Sequence, residues 1–168
     1  RSIFKIHRDV RFSKDKNPFK LHLGVWFWEG HGKRMECSGF YFHVEPKLFL
    51  LGVGMHLLPQ EYLSEFRNSL IHEKHGKEIR LIVDNLKQQG YAIGETVYKK
   101  IPRGFDPGHF NKDLLLHNSL TASCQFDTLP DCLYNEKIID FCSEHFKKMS
   151  PLHLWMRDMA ERAKAGLN

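Results

Sequence analysis

The sequence predicts an α+β fold: an antiparallel sheet of about four or five strands, packed by helices from the C-terminal half. Three observations predict it. β-rich and alternating segments crowd the N-terminal part, helical periodicity dominates after Pro59, and strands and helices do not alternate as in a parallel α/β chain. The chain has 168 residues and no linker, repeat or low-complexity tract. It therefore reads as one domain over 1–168, long enough to bury a substantial core.

The elements follow in order. Residues 3–11 form a β-rich run. Residues 20–28 alternate, with Leu21, Leu23, Val25 and Phe27 on one face and His22, Gly24, Trp26 and Trp28 on the other. Residues 29–33 make a glycine turn, and 35–45 return with Phe40, Phe42 and Val44 opposite Tyr41, His43 and Glu45. This is a hairpin with one aliphatic and one polar-aromatic face, ended by Pro46. Residues 48–57 make a third strand, loosened by Gly52 and Gly54.

A helix opens at Pro59 and carries Tyr62, Leu63, Phe66, Leu70 and Ile71. A second starts near Lys77 with Ile79, Ile82, Val83 and Leu86, and Gly90 closes it. Residues 91–101 read as a strand and 112–118 as one or two helical turns, with His117 as a cation at their end. Two helices finish the chain. The first spans 136–149; Ser150-Pro151 then starts the second, which bears Leu152, Trp155, Met156, Met159 and Ala163.

Composition sets bounds. A net charge of +5 permits a polyanionic partner but equally suits a plain soluble surface. Cys37, Cys124, Cys132 and Cys142 form no C-x-x-C pair and fit no zinc-ribbon spacing, so free thiols in a reducing compartment are expected. No apolar stretch approaches the roughly 20 residues of a membrane span. The expected location is cytoplasmic, with no membrane partner. No G-x-S-x-G or Walker A motif is present, and no cofactor is implied.

The densest chemical signal is Arg8-Asp9-Val10-Arg11-Phe12-Ser13-Lys14-Asp15-Lys16-Asn17-Pro18-Phe19-Lys20, with five cations and two carboxylates in thirteen residues. It resembles the signature of the uncharacterised domain-of-unknown-function 2461 family: Arg-Asp-x-Arg-Phe-Ser, then Asp-Lys-x-Pro, an aromatic and Lys. Gly39-Phe40-Tyr41-Phe42-His43-Val44-Glu45-Pro46, Gly52-Val53-Gly54 and Pro102-Arg103-Gly104-Phe105-Asp106 resemble further family motifs in the same order. The resemblance covers roughly residues 1–125. It implies the fold and a site but no reaction. Family members usually carry a helical segment before the Arg-Asp motif, so this chain is expected to be N-terminally incomplete.

Two readings of the run stand side by side. Arg8, Arg11, Lys16 and Lys20, with Asp9 among them, grip a small anion at the sheet edge, or they pair internally with Asp9 and Asp15. Arg103, in a Pro/Gly turn, is either a further cation of that site or a tie to a neighbouring carboxylate. His43 and Glu45 share one strand face, with His22 on the matching face of the partner strand. That trio could share a proton, bind a metal or form a structural pair; no compact metal motif is present, and the set is read without a metal. Gly52-Val53-Gly54 suits an anion-holding loop or a bulged strand. Trp26, Trp28 and Tyr41 suit base stacking or core packing.

The leading expectation is a pocket for a phosphate- or carboxylate-bearing small ligand, bound by Arg8, Arg11, Lys16 and Arg103, with His43 and Glu45 as an acid–base pair. The first alternative is a nucleic-acid-binding module using Lys14, Lys16, Lys20, Lys33 and Arg34. The second is a structural or interaction domain with internally paired charges.

Overall fold

A computed structural model describes residues 2–9, 11, 12, 14, 16–29 and 34–167, and of Met35 the backbone. Residues 30–33 of the expected glycine turn, Lys33 among them, lie outside these, as do Val10, Ser13 and Asp15.

The alternating segments form the expected hairpin. β1 (Leu23–Trp28) pairs antiparallel with β2 (Gly39–Glu45), which pairs with β3 (Leu48–Gly54). After α1 (Leu63–Ile71) and α2 (Glu73–Gln88) come β4 (Ala92–Ile93) and β5 (Thr121–Phe126), and α3 (Lys137–Leu167) ends the order. The sheet is antiparallel throughout, in the order β1-β2-β3-β5-β4. α3 packs on β3, and α1 and α2 pack on α3.

The pleat then divides chemistry between two faces. Phe49, Leu51 and Val53 of β3 are buried in one core with Phe66, Leu70, Ile79, Leu152 and Met156. Each such side chain contributes about 1.5–3 kcal/mol on burial. The register aligns Trp26, Tyr41, Gly52 and Ser123 across the opposite face, and His43 beside Gly24 and Leu50. This second face carries the candidate site. Among the described residues no helix is long and apolar enough to cross a membrane.

The strand count agrees with expectation, but the membership differs. Residues 3–11 make two isolated bridges, Ile3 with Val25 and His7 with Phe19. Residues 2–4 line the outer edge of β1 through Phe4 N–Gly24 O and Trp26 N–Ser2 O, both 3.0 Å. Past the start of β1 the segment has no sheet to join. It folds on the following residues instead, with Arg8 N–Pro18 O at 2.9 Å and Lys20 N–Ile6 O at 2.8 Å. β5 takes the vacant place, a strand that the sequence did not announce.

The expected strand over 91–101 shrinks to two residues. After Gly94 the chain leaves β5, and Val97 and Tyr98 both donate to the Leu116 carbonyl, at 2.9 Å. At the first helix, Pro59 precedes a short 3-10 turn, Gln60–Tyr62, and α1 follows it. α2 starts at Glu73, four residues before the expected Lys77, because His72 Nδ1 accepts from the Lys74 and His75 amides. Gly90, at φ +84°, closes α2. The expected turns over 112–118 reduce to Leu114–Leu116, and His117 is buried, with its pKa lowered by that burial, so it is no helix-end cation.

The two expected terminal helices are one. Pro151 lies inside α3. Proline lacks the N–H that the Lys147 carbonyl would normally receive, and Ser150 Oγ donates to that carbonyl at 2.8 Å. Met149, Leu152, Met156 and Met159 bury both halves of the helix against the same core. All four cysteines are free.

Candidate functional site on the uncovered sheet face

β1, β2, β3 and β5 together wall a cavity of about 430 Å³ on the face away from α3. That size suits a small metabolite. Tyr41, Gly52 and Ser123 lie along one register row, and Phe4, Trp26, His56 and Thr121 complete the parts that matter chemically. Gly52 contributes no side chain, which leaves space between Tyr41 and Leu50. Gly24 answers a close approach: a Cβ there would meet Tyr41 Oη at 2.9 Å and the Phe4 ring at 3.3 Å.

Phe4 reaches the wall because residues 2–4 pair with β1. Its ring meets Tyr41 edge-on, 6.0 Å between centroids, and the Arg34 guanidinium lies 4.1 Å from the Phe4 centroid. Trp26 is 7% exposed and its indole N–H finds no hydrogen-bond partner among the described residues. An unsatisfied buried donor costs about 1–3 kcal/mol, and an acceptor that reached it would recover part of that.

Behind the cavity runs a polar line on β2. Tyr41 Oη is 2.9 Å from His43 Nδ1, and His43 Nε2 is 3.8 Å from Glu45 Oε2. His22, just before β1, stacks on His43 with centroids 4.7 Å apart and planes at 26°. Burial lowers the His43 pKa and the neighbouring His22 adds to this, with Glu45 opposing. Burial raises the Tyr41 pKa. Among the described residues His22, His43 and Glu45 form a group able to hold a cation, all three ligand atoms lying within 4.8 Å of one another.

None of the described residues of the charged run lines the cavity. Arg11 holds Asp9 in a two-pronged pair, Nε–Oδ1 at 2.9 Å and Nη2–Oδ2 at 2.6 Å, with both side chains mostly in solvent. Arg8 and Lys20 are half-buried, and Lys16 is exposed. Arg103 is exposed in a turn closed by Phe105 N–Pro102 O at 3.4 Å. That turn belongs to the connection leaving β4, at the sheet edge opposite β1. No side-chain hydrogen bond or ion pair joins Arg103 to the run among the described residues. The structure thus gathers His22, His43, Glu45 and Tyr41, and places Arg103 on the connection between β4 and β5.

Sequence reasoning missed His56, Thr121 and Ser123. The alternation of Thr121 and Ser123 was the available signal, but it belongs to the strand that went unread. A second His cluster offers no nucleophile. Tyr91 Oη and Cys124 Sγ share His145 Nδ1 at 2.9 and 3.6 Å, and burial pushes the Cys124 thiol up to about 11.

Fold and site together define an α+β domain with helices on one sheet face and a walled cavity on the other. The chain belongs to the family described as conserved hypothetical protein (DUF2461), whose model matches residues 1–155. The match extends beyond the N-terminal motifs into α3. No curated protein and no solved structure matches the chain.

Proposed function

We propose that this domain binds a small anionic ligand, phosphate- or carboxylate-bearing, in the cavity over Tyr41, Gly52 and Ser123. One observation carries the reading: the described lining offers a phenol, two hydroxyls and an imidazole (Tyr41, Thr121, Ser123, His56) among apolar groups, and no carboxylate. Such a wall donates hydrogen bonds to an anion without repelling it. Tyr41 is the group through which a proton reaches the ligand, and His43 and Glu45 act from behind it. Arg8, Lys16 and Lys20 steer anions toward this end of the sheet rather than grip them.

The test is a thermal-shift and tryptophan-fluorescence titration with inorganic phosphate, nucleotides and small dicarboxylates. A ligand at 100 times its Kd stabilises by about 2.7 kcal/mol. Ser123→Leu, which fills the cavity, and Tyr41→Phe are expected to abolish or weaken the response. An undiminished response in Ser123→Leu would move the ligand elsewhere.

A second reading, nucleic-acid binding, draws on Phe12, which is 97% exposed beside Arg11 and Lys14. It predicts steep salt dependence and losses spread over Lys14, Lys16 and Lys20.

A further inference from the structure

We infer that His22, His43 and Glu45 build a divalent transition-metal site at the end of the sheet beside the cavity. The inference shares Tyr41 with the pocket reading but does not depend on it.

The placement follows from the sheet. Residues two apart on a strand share a face, so β2 presents His43 and Glu45 together. The pairing of Leu23 with Val44 brings His22, one residue earlier, alongside Glu45. The three ligand atoms lie within 4.8 Å of one another. Tetrahedral zinc with bonds of about 2.0–2.1 Å sets its ligand atoms about 3.3 Å apart. His43 Nε2 and Glu45 Oε2 stand at 3.8 Å, so side-chain rotation closes the gap without backbone movement.

The same distance leaves the pair open to an ion between its two groups. At 3.8 Å the imidazole and carboxylate are beyond hydrogen-bond range, although they face each other. Meanwhile the other nitrogen of His43 is occupied: Tyr41 Oη lies 2.9 Å from Nδ1. A polar partner on one ring nitrogen, fixing the ring and leaving the other nitrogen to ligate, is the usual support of a metal-binding histidine. With Nε2 given to a metal, Nδ1 would carry the ring proton and donate to Tyr41 Oη, and the phenol would keep its own proton, free to donate it in a hydrogen bond elsewhere.

The donor set decides the class of ion. Two imidazole nitrogens and one carboxylate oxygen suit zinc, cobalt or ferrous iron, whereas magnesium and calcium prefer oxygen. Three protein ligands leave a position open for water or for a ligand, as in catalytic rather than structural zinc sites.

The test titrates the chelator-treated chain with Zn²⁺ by calorimetry and with Co²⁺ by visible absorption, with Mg²⁺ as the comparator. The expected result is one transition-metal ion per chain and a cobalt band of low coordination number. His22→Ala and Glu45→Gln are each expected to weaken binding at least about tenfold, and Tyr41→Phe about tenfold. All are checked for folding by circular dichroism. His22 and Glu45 are only partly buried, so these variants keep the test valid if His43→Ala misfolds. Three results overturn the inference: no stoichiometric Zn²⁺ or Co²⁺, undiminished affinity in the His22→Ala/Glu45→Gln chain, or loss of binding on replacing His72 and His75. Those two rings, 4.6 Å apart at the start of α2, form a separate adventitious pair. Metal binding with a blank ligand panel overturns the pocket reading alone.

Discussion

Two histidines of this molecule have matching neighbours and opposite surroundings. His43 Nδ1 is 2.9 Å from the Tyr41 hydroxyl, and its Nε2 is 3.8 Å from Glu45. His153 Nδ1 is 3.0 Å from the Ser38 hydroxyl, and its Nε2 is 3.8 Å from Glu29. The first line comes from alternate residues of one strand, on a face that α3 leaves uncovered. The second joins three separate places: the residue after β1, the residue before β2 and the middle of α3. His153 is 5% exposed, Phe40 packs 4.8 Å from its ring, and Arg157 also reaches Glu29. A hydroxyl–imidazole–carboxylate line is therefore no sign of function by itself. Where it spans distant elements and is buried, it fastens the helix to the hairpin. Where it is local to one strand it ties no distant elements together, which leaves its chemistry open to the proposed ligand or ion.

The largest effect should separate the two. His153→Ala removes a buried ring and strands the Ser38 hydroxyl, and it is expected to cost about 2–4 kcal/mol. His43→Ala should cost less, about 1–2 kcal/mol, because its side chain keeps 16% of its surface exposed and its hydroxyl and carboxylate neighbours lie on its own strand. Urea unfolding of both variants measures the difference. Equal losses would erase the distinction and make the His43 line a structural fastening too.

Next in size is the pH dependence. Burial lowers the pKa of His153, with Arg157 adding and Glu29 and Asp158 opposing, and burial is also the leading cause of the lowered values of His117 and His145. Above the ordinary histidine pKa of about 6.5 these rings are neutral, folded or unfolded. As pH falls below it, the unfolded chain takes up protons that the folded chain resists, so stability is lost. The urea midpoint should drop between pH 8 and pH 5.5, and His153→Gln should flatten that slope. A midpoint that rises on acidification would mean that these histidines are better paired than their burial implies.

Of this comparison the sequence disclosed one half. Strict alternation put Tyr41, His43 and Glu45 on a shared face, because a strand's period leaves no other choice. Ser38, Glu29 and His153 carry no mutual pattern, since contacts between distant residues follow from docking and not from spacing. The same limit hid β5. Ser123, Cys124 and Gln125 have weak strand character, and Thr121–Phe126 becomes a strand because β3 offers its free edge there. Three residues of the cavity wall, Thr121, Ala122 and Ser123, were thus out of reach. Pro151 misled in the reverse direction: read locally it ends a helix, yet Ser150 satisfies the freed carbonyl and the core holds both halves in line.

A smaller change probes how the cavity is built. Gly24→Ala places a methyl group 2.9 Å from Tyr41 Oη and 3.3 Å from Phe4. The hydroxyl is the movable end of its side chain, so the stability cost should be about 1 kcal/mol, at the low end for overpacking. The larger consequence should fall on Tyr41, whose bond to His43 the methyl group displaces. Cobalt affinity and ligand response should both decline in this variant while the urea midpoint barely moves. An unchanged cobalt affinity would show that Tyr41 gives His43 no support.

The smallest expected effect falls on the feature that dominates the sequence. Arg11 and Asp9 lie two residues apart with side chains 77% and 58% exposed, and water screens most of their attraction. The pair lowers the Asp9 pKa chiefly through the Arg11 side chain, yet neither group touches the cavity lining. Arg11→Ala should leave the urea midpoint, the cobalt affinity and the saturating ligand response unchanged. At most it should slow ligand association at low salt, where a remote cation still steers an anion. Stopped-flow association rates at two ionic strengths read this directly. If Arg11→Ala instead abolishes ligand binding at equilibrium, the run grips the ligand itself, and the anion's place lies with Arg8 and Arg11 rather than over Tyr41.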